Sequence, residues 1–215
     1  MMKENTKIVL QTLVEKYPQL AENKIRVEQA VELLKESFAQ GKRLLVCGNG
    51  GSACDAEHIV GELLKSFKRH RKIDEKVEEK LLAFGENGVY LSQKLEGALP
   101  AISLNSQTGI MTAFANDKAW DATFAQQVYG LGEDGDVLVC LSTSGNSQNC
   151  VLASLVAKAK GIKTIALTGE GGGKLQQICD CIIAVPERET YKVQELHLPI
   201  YHCLCAMLEE EFFGE

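Results

Sequence analysis

After position 41 the chain alternates between short runs of aliphatic and β-branched residues and longer stretches with helical spacing. The runs are KRLLVC at 42–47, LPAISL at 99–104, DVLVCLS at 136–142, KTIALT at 163–168 and CIIAV at 181–185. Each is apolar almost end to end, as a strand covered on both faces must be. Helical segments at 52–67, 108–129 and 147–160, with a short turn near 174–179, separate most of them. That order predicts an α/β fold, doubly wound, with a five-stranded parallel sheet as the middle of three α/β/α layers.

Ahead of the sheet, Ile8, Leu10, Leu13 and Val14, then Val27, Ala30, Val31, Leu34 and Phe38, recur at helical spacing, and Pro18 divides the two groups. Residues 1–40 therefore read as a helical extension and 41–215 as one domain, a division that suits 215 residues. The polar, helix-forming segment near 72–97 is longer than a crossover needs and reads as one or two inserted surface helices. The last stretch, 193–213, is helical in period, with Pro199 expected to kink it or mark an early turn.

Composition excludes several functions. A net charge of −6 provides no general positive field for nucleic acid or anionic membrane, so an anionic ligand would depend on local dipoles. Eight cysteines lie mostly within apolar runs and without zinc-knuckle spacing, which fits reduced thiols in the cytoplasm. The N-terminal MMKENTKIVLQTL is charged and interrupted, unlike a signal peptide, and no apolar run approaches the ~18 residues of a membrane span.

Ligands of a parallel sheet bind beyond the carboxyl ends of its strands. Two loops there carry chemistry: GNGGSACDAEH at 48–58 and STSGNS at 142–147. Their glycines let backbone approach an anion, and each opens a helix whose free N–H groups attract phosphate. Ordinary helix capping would also explain serines at a single helix start. Two such loops at corresponding strand ends favour a ligand. A nucleotide is not expected: GNGGSA is followed by KSFKRHR, and Leu104-Asn105 ends the second strand without a ribose-binding acid. TGEGGGKL at 168–175 departs from a phosphate-binding P-loop, since Leu175 stands where a magnesium-holding hydroxyl is needed.

His58 and Glu62, spaced i,i+4, share a helix face, and so do Gln194 and His202, eight apart, provided Pro199 does not rotate the halves. The four could supply general acid and base or surround a divalent metal, best zinc. Singly, His58 also reads as a core histidine and Glu62 as a solvated surface residue.

CGNGGSACDAEH, FAND, STSGNS, LTGEGGGK and VQELHLPIYH, in that order and spanning nearly the whole chain, resemble the sugar isomerase (SIS) family and, within it, the phosphoheptose isomerases. The resemblance implies an aldose–ketose isomerase that interconverts sedoheptulose 7-phosphate and a heptose 7-phosphate. It also implies a homotetramer with helices at its centre and active sites completed by neighbouring subunits, so that carboxylate and imidazole come from different protomers. Carried over by position, Asn49, Gly50, Gly51, Ser52, Asn116, Asp117, Ser142, Thr143, Ser144, Ser147 and Gln194 fall at substrate and phosphate contacts. Glu62 and His202 fall at the catalytic positions. His58, Glu62, Gln194 and His202 match the zinc shell of some members. Gln107, Ser66 and Tyr191 depart from the family's aspartate, arginine and aspartate, and the insertion is absent from shorter members; these bear on which sugar is used. Two rival readings remain: a non-catalytic regulator that binds sugar phosphates, like a relative assisting the bacterial replication initiator, and an isomerase of another phosphosugar.

Overall fold

A computed structural model describes residues 2–214. Five strands, β1 (Leu44–Gly48), β2 (Ala101–Ser103), β3 (Val137–Leu141), β4 (Lys163–Thr168) and β5 (Cys181–Ala184), form one sheet in the order β2-β1-β3-β4-β5. Every pairing is parallel. Their side chains alternate between two cores, as the pleat requires. Leu44, Val46, Val137 and Val139 pack on one side; Leu45, Cys47, Leu138 and Cys140 pack on the other. Both faces being covered is why the strand sequences carry no polar alternation.

The first core lies under α1 (Glu4–Lys16), α2 (Lys24–Ala39), α3 (Gly51–Leu64) and α9 (Thr190–Phe213). The second lies under α7 (Thr123–Leu131) and α8 (Gln148–Ala159). Pro18 opens a short 3₁₀ turn, Pro18–Asn23, between α1 and α2, where its missing N–H has no helical bond to break. The 72–97 insertion holds two short helices, α4 (Glu75–Leu82) and α5 (Glu86–Lys94), and Asp74 caps the first by accepting from the amides of Lys76 and Val77. Its two ends meet where Gly97 N donates to Arg71 O at 3.0 Å. Among the described residues, no helix is long and apolar enough to cross a membrane.

Three expectations are corrected. The helix expected at 108–129 is broken into α6 (Thr108–Asp117), a 3₁₀ turn at Trp120–Ala122 and α7, because the backbone leaves helical geometry at Lys118 (φ −134°, ψ −77°). The helix expected at 52–67 stops at Leu64, where Lys65 turns to extended backbone. Pro199 marks no early turn: α9 runs through it for 24 residues. An interior proline costs about 3 kcal/mol, but α9 buries Val193, Ile200, Tyr201, Leu204, Met207 and Leu208 against the first core. At roughly 1.5–3 kcal/mol for each large side chain, that burial outweighs the lost bond.

His197, also on α9, is fully buried, and neither ring nitrogen has a hydrogen bond of ordinary geometry. Burial pushes its pKa from 6.5 down to about 4, a backbone contact with Thr168 offsetting only part of the effect. The folded state therefore resists a proton that the unfolded chain accepts. The resulting stability is complete above pH 6.5 and is lost as pH falls towards 4, by about 3 kcal/mol in all. Urea unfolding between pH 7.5 and 4.5 should show His197→Leu losing less stability with acid than the parent protein; parallel curves would exclude this role.

Candidate active site

β1 and β3 are neighbours although β2 separates them in sequence, so the chain reverses direction across the sheet at this pair. Open α/β sheets bind ligands in the crevice at such a switch point. The register places Gly48 beside Leu141, which brings the loops after both strands to the same height. Gly48 cannot be replaced cheaply, since a Cβ there would lie 2.5 Å from the Ser52 carbonyl oxygen. Asn105, beyond β2, clasps it on both sides: Gly48 N donates to Asn105 Oδ1 at 3.2 Å, and Asn105 Nδ2 donates to Gly48 O at 2.8 Å.

The two loops are cross-linked. Asn49 and Asn149 exchange amide hydrogen bonds at 2.9 and 2.8 Å, and within the second loop the Ser142 hydroxyl donates to Ser147 Oγ at 2.9 Å. Ser144 turns inward on its own loop, its Oγ accepting from Asn146 N, and Thr143 O accepts from Gly169 N. Neither α3 nor α8 is capped by a side chain. Simple side-chain capping therefore does not explain these serines, and a helix start without such a cap is a place where an anion can be held. The residues that follow the glycine run 171–173 brace the second loop: Leu175 N donates to Gly145 O, and Lys174 N to Asn146 Oδ1. A cavity of about 410 Å³ opens beside the loops, lined by Gly48, Asn49, Gly50, Asn105, Asn149 and, from α6 and the following turn, Met111, Thr112, Ala115 and Trp120. Asn116 and Asp117 are not in that wall; they are exposed at the end of α6, where Asn116 Nδ2 donates to Asp117 Oδ1.

The titratable groups meet between α3 and α9. His58 Nε2 lies 3.3 Å from Glu62 Oε1, and the His58 and His202 rings stand edge to face with centroids 4.9 Å apart. His58 Nδ1 is 3.0 Å from Tyr201 Oη, which donates to Asp55 Oδ1 at 3.2 Å. His202 is held below its usual pKa, first by burial and then by His58, with Glu62 opposing. Its Nε2 is buried without a hydrogen-bond partner. Gln194 lies nearer the phosphate loop, its Nε2 donating to Ser52 Oγ at 3.4 Å, and its amide fills the space over Gly51. Within one chain, Glu62 and His202 both approach His58.

A buried ion pair fixes the end of α3. Arg71 donates through Nε to Glu209 Oε1 at 2.8 Å, through NH1 to Leu63 O and through NH2 to Glu62 O. Glu209 also accepts from the amides of Phe67, Lys68 and Arg69. Thus the carbonyls left free at the last turn of α3 are satisfied by a guanidinium, and the main chain of Glu62 is held from behind. Beneath the loops, the sulfurs of Cys47, Cys140 and Cys150 lie within 4.8 Å of one another, a donor set that could hold a metal ion. All three are sealed in the second core, where Cys47 and Cys140 contact each other at 3.5 Å.

The SIS domain family model matches residues 10–98 and 84–169. A phosphoheptose isomerase of Nitratiruptor sp. is 40% identical over 82% of this chain and 81% of its own. The phosphoheptose isomerase structure from Neisseria gonorrhoeae superposes with a TM-score of 0.69 at 33% identity, covering 94% of this chain and 92% of that one. The Francisella tularensis phosphoheptose isomerase gives 0.73 at 29% identity, covering 97% and 100%. The chain belongs to the SIS domain family, in its phosphoheptose isomerase branch.

Zinc, which some SIS isomerases hold, can be tested against these residues. His58, Glu62 and His202 offer nitrogen, carboxylate oxygen and nitrogen at one place, and the unpartnered His202 Nε2 is a donor with nothing to bind. That set suits zinc; Gln194 would join it by leaving Ser52. Asp55, Tyr201, Asn105, Asn149 and the Arg71–Glu209 pair escaped the sequence reading of this SIS domain. Of these, Asp55, within the CGNGGSACDAEH block, and Tyr201, within VQELHLPIYH, carried a local signal.

Glu209→Gln should leave the Arg71 guanidinium buried with a neutral partner and lower stability by about 3–5 kcal/mol in urea unfolding. A loss below 1 kcal/mol would show that the pair does not anchor α3.

Proposed function

We propose that this SIS protein is an aldose–ketose isomerase acting on sedoheptulose 7-phosphate to give D-glycero-D-manno-heptose 7-phosphate through an enediol. One observation carries the reading: α3 begins at the glycine-serine loop and carries His58 and Glu62 to His202. At 1.5 Å per residue, His58 lies about 9 Å and Glu62 about 15 Å along the axis from Ser52. A six- or seven-carbon sugar phosphate bridges that interval, whereas a triose phosphate does not.

The phosphate is held by the amides at the starts of α3 and α8 with Asn49, Gly50, Gly51, Ser52, Ser142, Thr143, Ser144 and Ser147. This holds the carbonyl end in place, which is the positioning part of catalysis. Glu62 removes a proton from the carbon beside the carbonyl, and His202 serves the oxygen. Its depressed pKa keeps the imidazole neutral near pH 7, and a neutral ring can still donate an N–H to a developing oxyanion. The proton then returns at the neighbouring carbon. Gln194, at Ser52, orients the sugar between these ends. Zinc held by His58, Glu62, Gln194 and His202 would polarise the substrate's oxygens. The regulator reading requires no pairing of Glu62 with His202 and is disfavoured by their approach to a common neighbour.

The working form is a homotetramer in the cytoplasm, with residues 1–40 serving its assembly and neighbouring subunits completing each site mouth. The support is apolar surface: Ile8 and Ile25 are exposed on α1 and α2, Trp120 is 70% exposed beside the cavity, and α6 buries no residue within its own chain. Eight free thiols suit a reducing compartment. Light scattering should return four times the 23.5 kDa chain mass; a monomer would contradict the assembly.

Glu62→Gln should lower turnover of sedoheptulose 7-phosphate by at least 10²- to 10⁴-fold, the ordinary worth of a positioned base, while sugar-phosphate affinity changes little. The assay should include shorter ketose phosphates, because Gln107 and Tyr191 depart from the family pattern. Faster turnover of a pentose or hexose phosphate would transfer the reading to that sugar, and unchanged turnover in Glu62→Gln would remove Glu62 from the reaction.

A further inference from the structure

Tyr201 sits in an apolar run of α9 and is 1% exposed, yet its hydroxyl is the middle of a polar chain running from Glu62 through His58 and Tyr201 to Asp55. A phenol has one proton to give. Here it goes to Asp55 Oδ1 at 3.2 Å. With its hydrogen committed, Tyr201 Oη can only accept from His58 Nδ1, 3.0 Å away. The Nδ1 of His58 must then carry the hydrogen, and Nε2 is the nitrogen whose state is free to change. That nitrogen faces Glu62 Oε1 at 3.3 Å, with His202 on its other side.

We propose that Tyr201, held by Asp55, is a positioning residue that fixes the hydrogen of His58 on Nδ1 and thereby leaves Nε2 available to a divalent cation at the Glu62–His202 site. Ring packing reinforces the hydrogen bond: His58 and Tyr201 stand edge to face with centroids 5.5 Å apart and planes at 72°. Metal-binding histidines depend on such a partner at the second nitrogen, and its loss typically weakens metal binding 10- to 100-fold. The inference deepens the isomerase reading of the same site, and its decisive measurement requires no turnover.

The chain has four histidines, so a long-range ¹H–¹⁵N spectrum of ¹⁵N-histidine-labelled protein resolves each ring, with His58→Gln assigning one. In the unsubstituted protein, metal-free or zinc-loaded, His58 should show a protonated Nδ1. Tyr201→Phe keeps the ring and removes only the oxygen. It should expose the Nδ1 hydrogen to exchange or move it to Nε2, and should raise the zinc dissociation constant 10- to 100-fold in a chelator competition. A purely packing role for Tyr201 would leave both readouts unchanged, and that result overturns the proposal. So does finding Nδ1 unprotonated in the parent protein. Should the parent protein not bind zinc, the Nδ1 signal alone decides. A protected Nδ1 hydrogen in a protein that turns over no sugar phosphate would count against the isomerase reading and leave this assignment standing.

Discussion

The parallel pairing of β1 with β3 sets Gly48 level with Leu141, and the rest of the site follows from that register. A shift of one residue would move Leu45 and Cys47 from one core to the other and part the two loops. With the register fixed, Asn49 can reach Asn149, so two segments about a hundred residues apart become one rim, and the Ser142–Ser147 bond tightens its second half. The starts of two helices are then brought beside each other, an anion site that does not rely on side-chain charge. An acidic chain can hold an anion in this way, because the attraction is local and its overall field is irrelevant at hydrogen-bond range.

α9 supplies the other half. It carries Gln194 to the phosphate loop, Tyr201 and His202 to the acid-base cluster, and Glu209 to the buried guanidinium of Arg71. Three functional levels lie along one helix, two to three turns apart, and α1 and α2 pack on the same helix from the other side. The Arg71–Glu209 pair ties the end of α3 to α9 behind Glu62. Tyr201 ties its middle to α9 through His58 and Asp55. The spacing between phosphate grip and proton transfer is thus set by two helices clamped at several points.

Much of this was legible in the sequence. The five strands stood out because both faces of the sheet are covered, so that Leu44 and Leu45 alike had to be apolar. The loops stood out through glycines that close backbone contact demands. Glu62 with His58 followed from helical spacing, as did Gln194 with His202 provided Pro199 did not break α9; the meeting of the two pairs depends on α3 packing against α9, which spacing does not encode. Other features were hidden for physical reasons. Arg71 and Glu209 lie 138 positions apart and each reads as a surface charge until folding buries both. Tyr201 lies within LPIYHCL, where an aromatic residue reads as core; its burial is what the pattern registers, and its hydroxyl bond is not. Asn116 and Asp117 match a family block; in the single chain they are exposed at the end of α6, while Met111, Thr112 and Ala115 line the cavity. The three-thiol cluster was likewise invisible, since Cys47, Cys140 and Cys150 meet only through strand pairing and the packing of α8.

On the proposed mechanism, the loops at the starts of α3 and α8 hold a phosphate while Glu62 and His202 of the same chain face the far end of the sugar. A crystal structure of Glu62→Gln with sedoheptulose 7-phosphate tests it directly. The account predicts phosphate oxygens within hydrogen-bond distance of the amides near Ser52 and Ser147, and the first two carbons between residue 62 and His202. A phosphate seated elsewhere, or a carbonyl end turned away from His202, would contradict it.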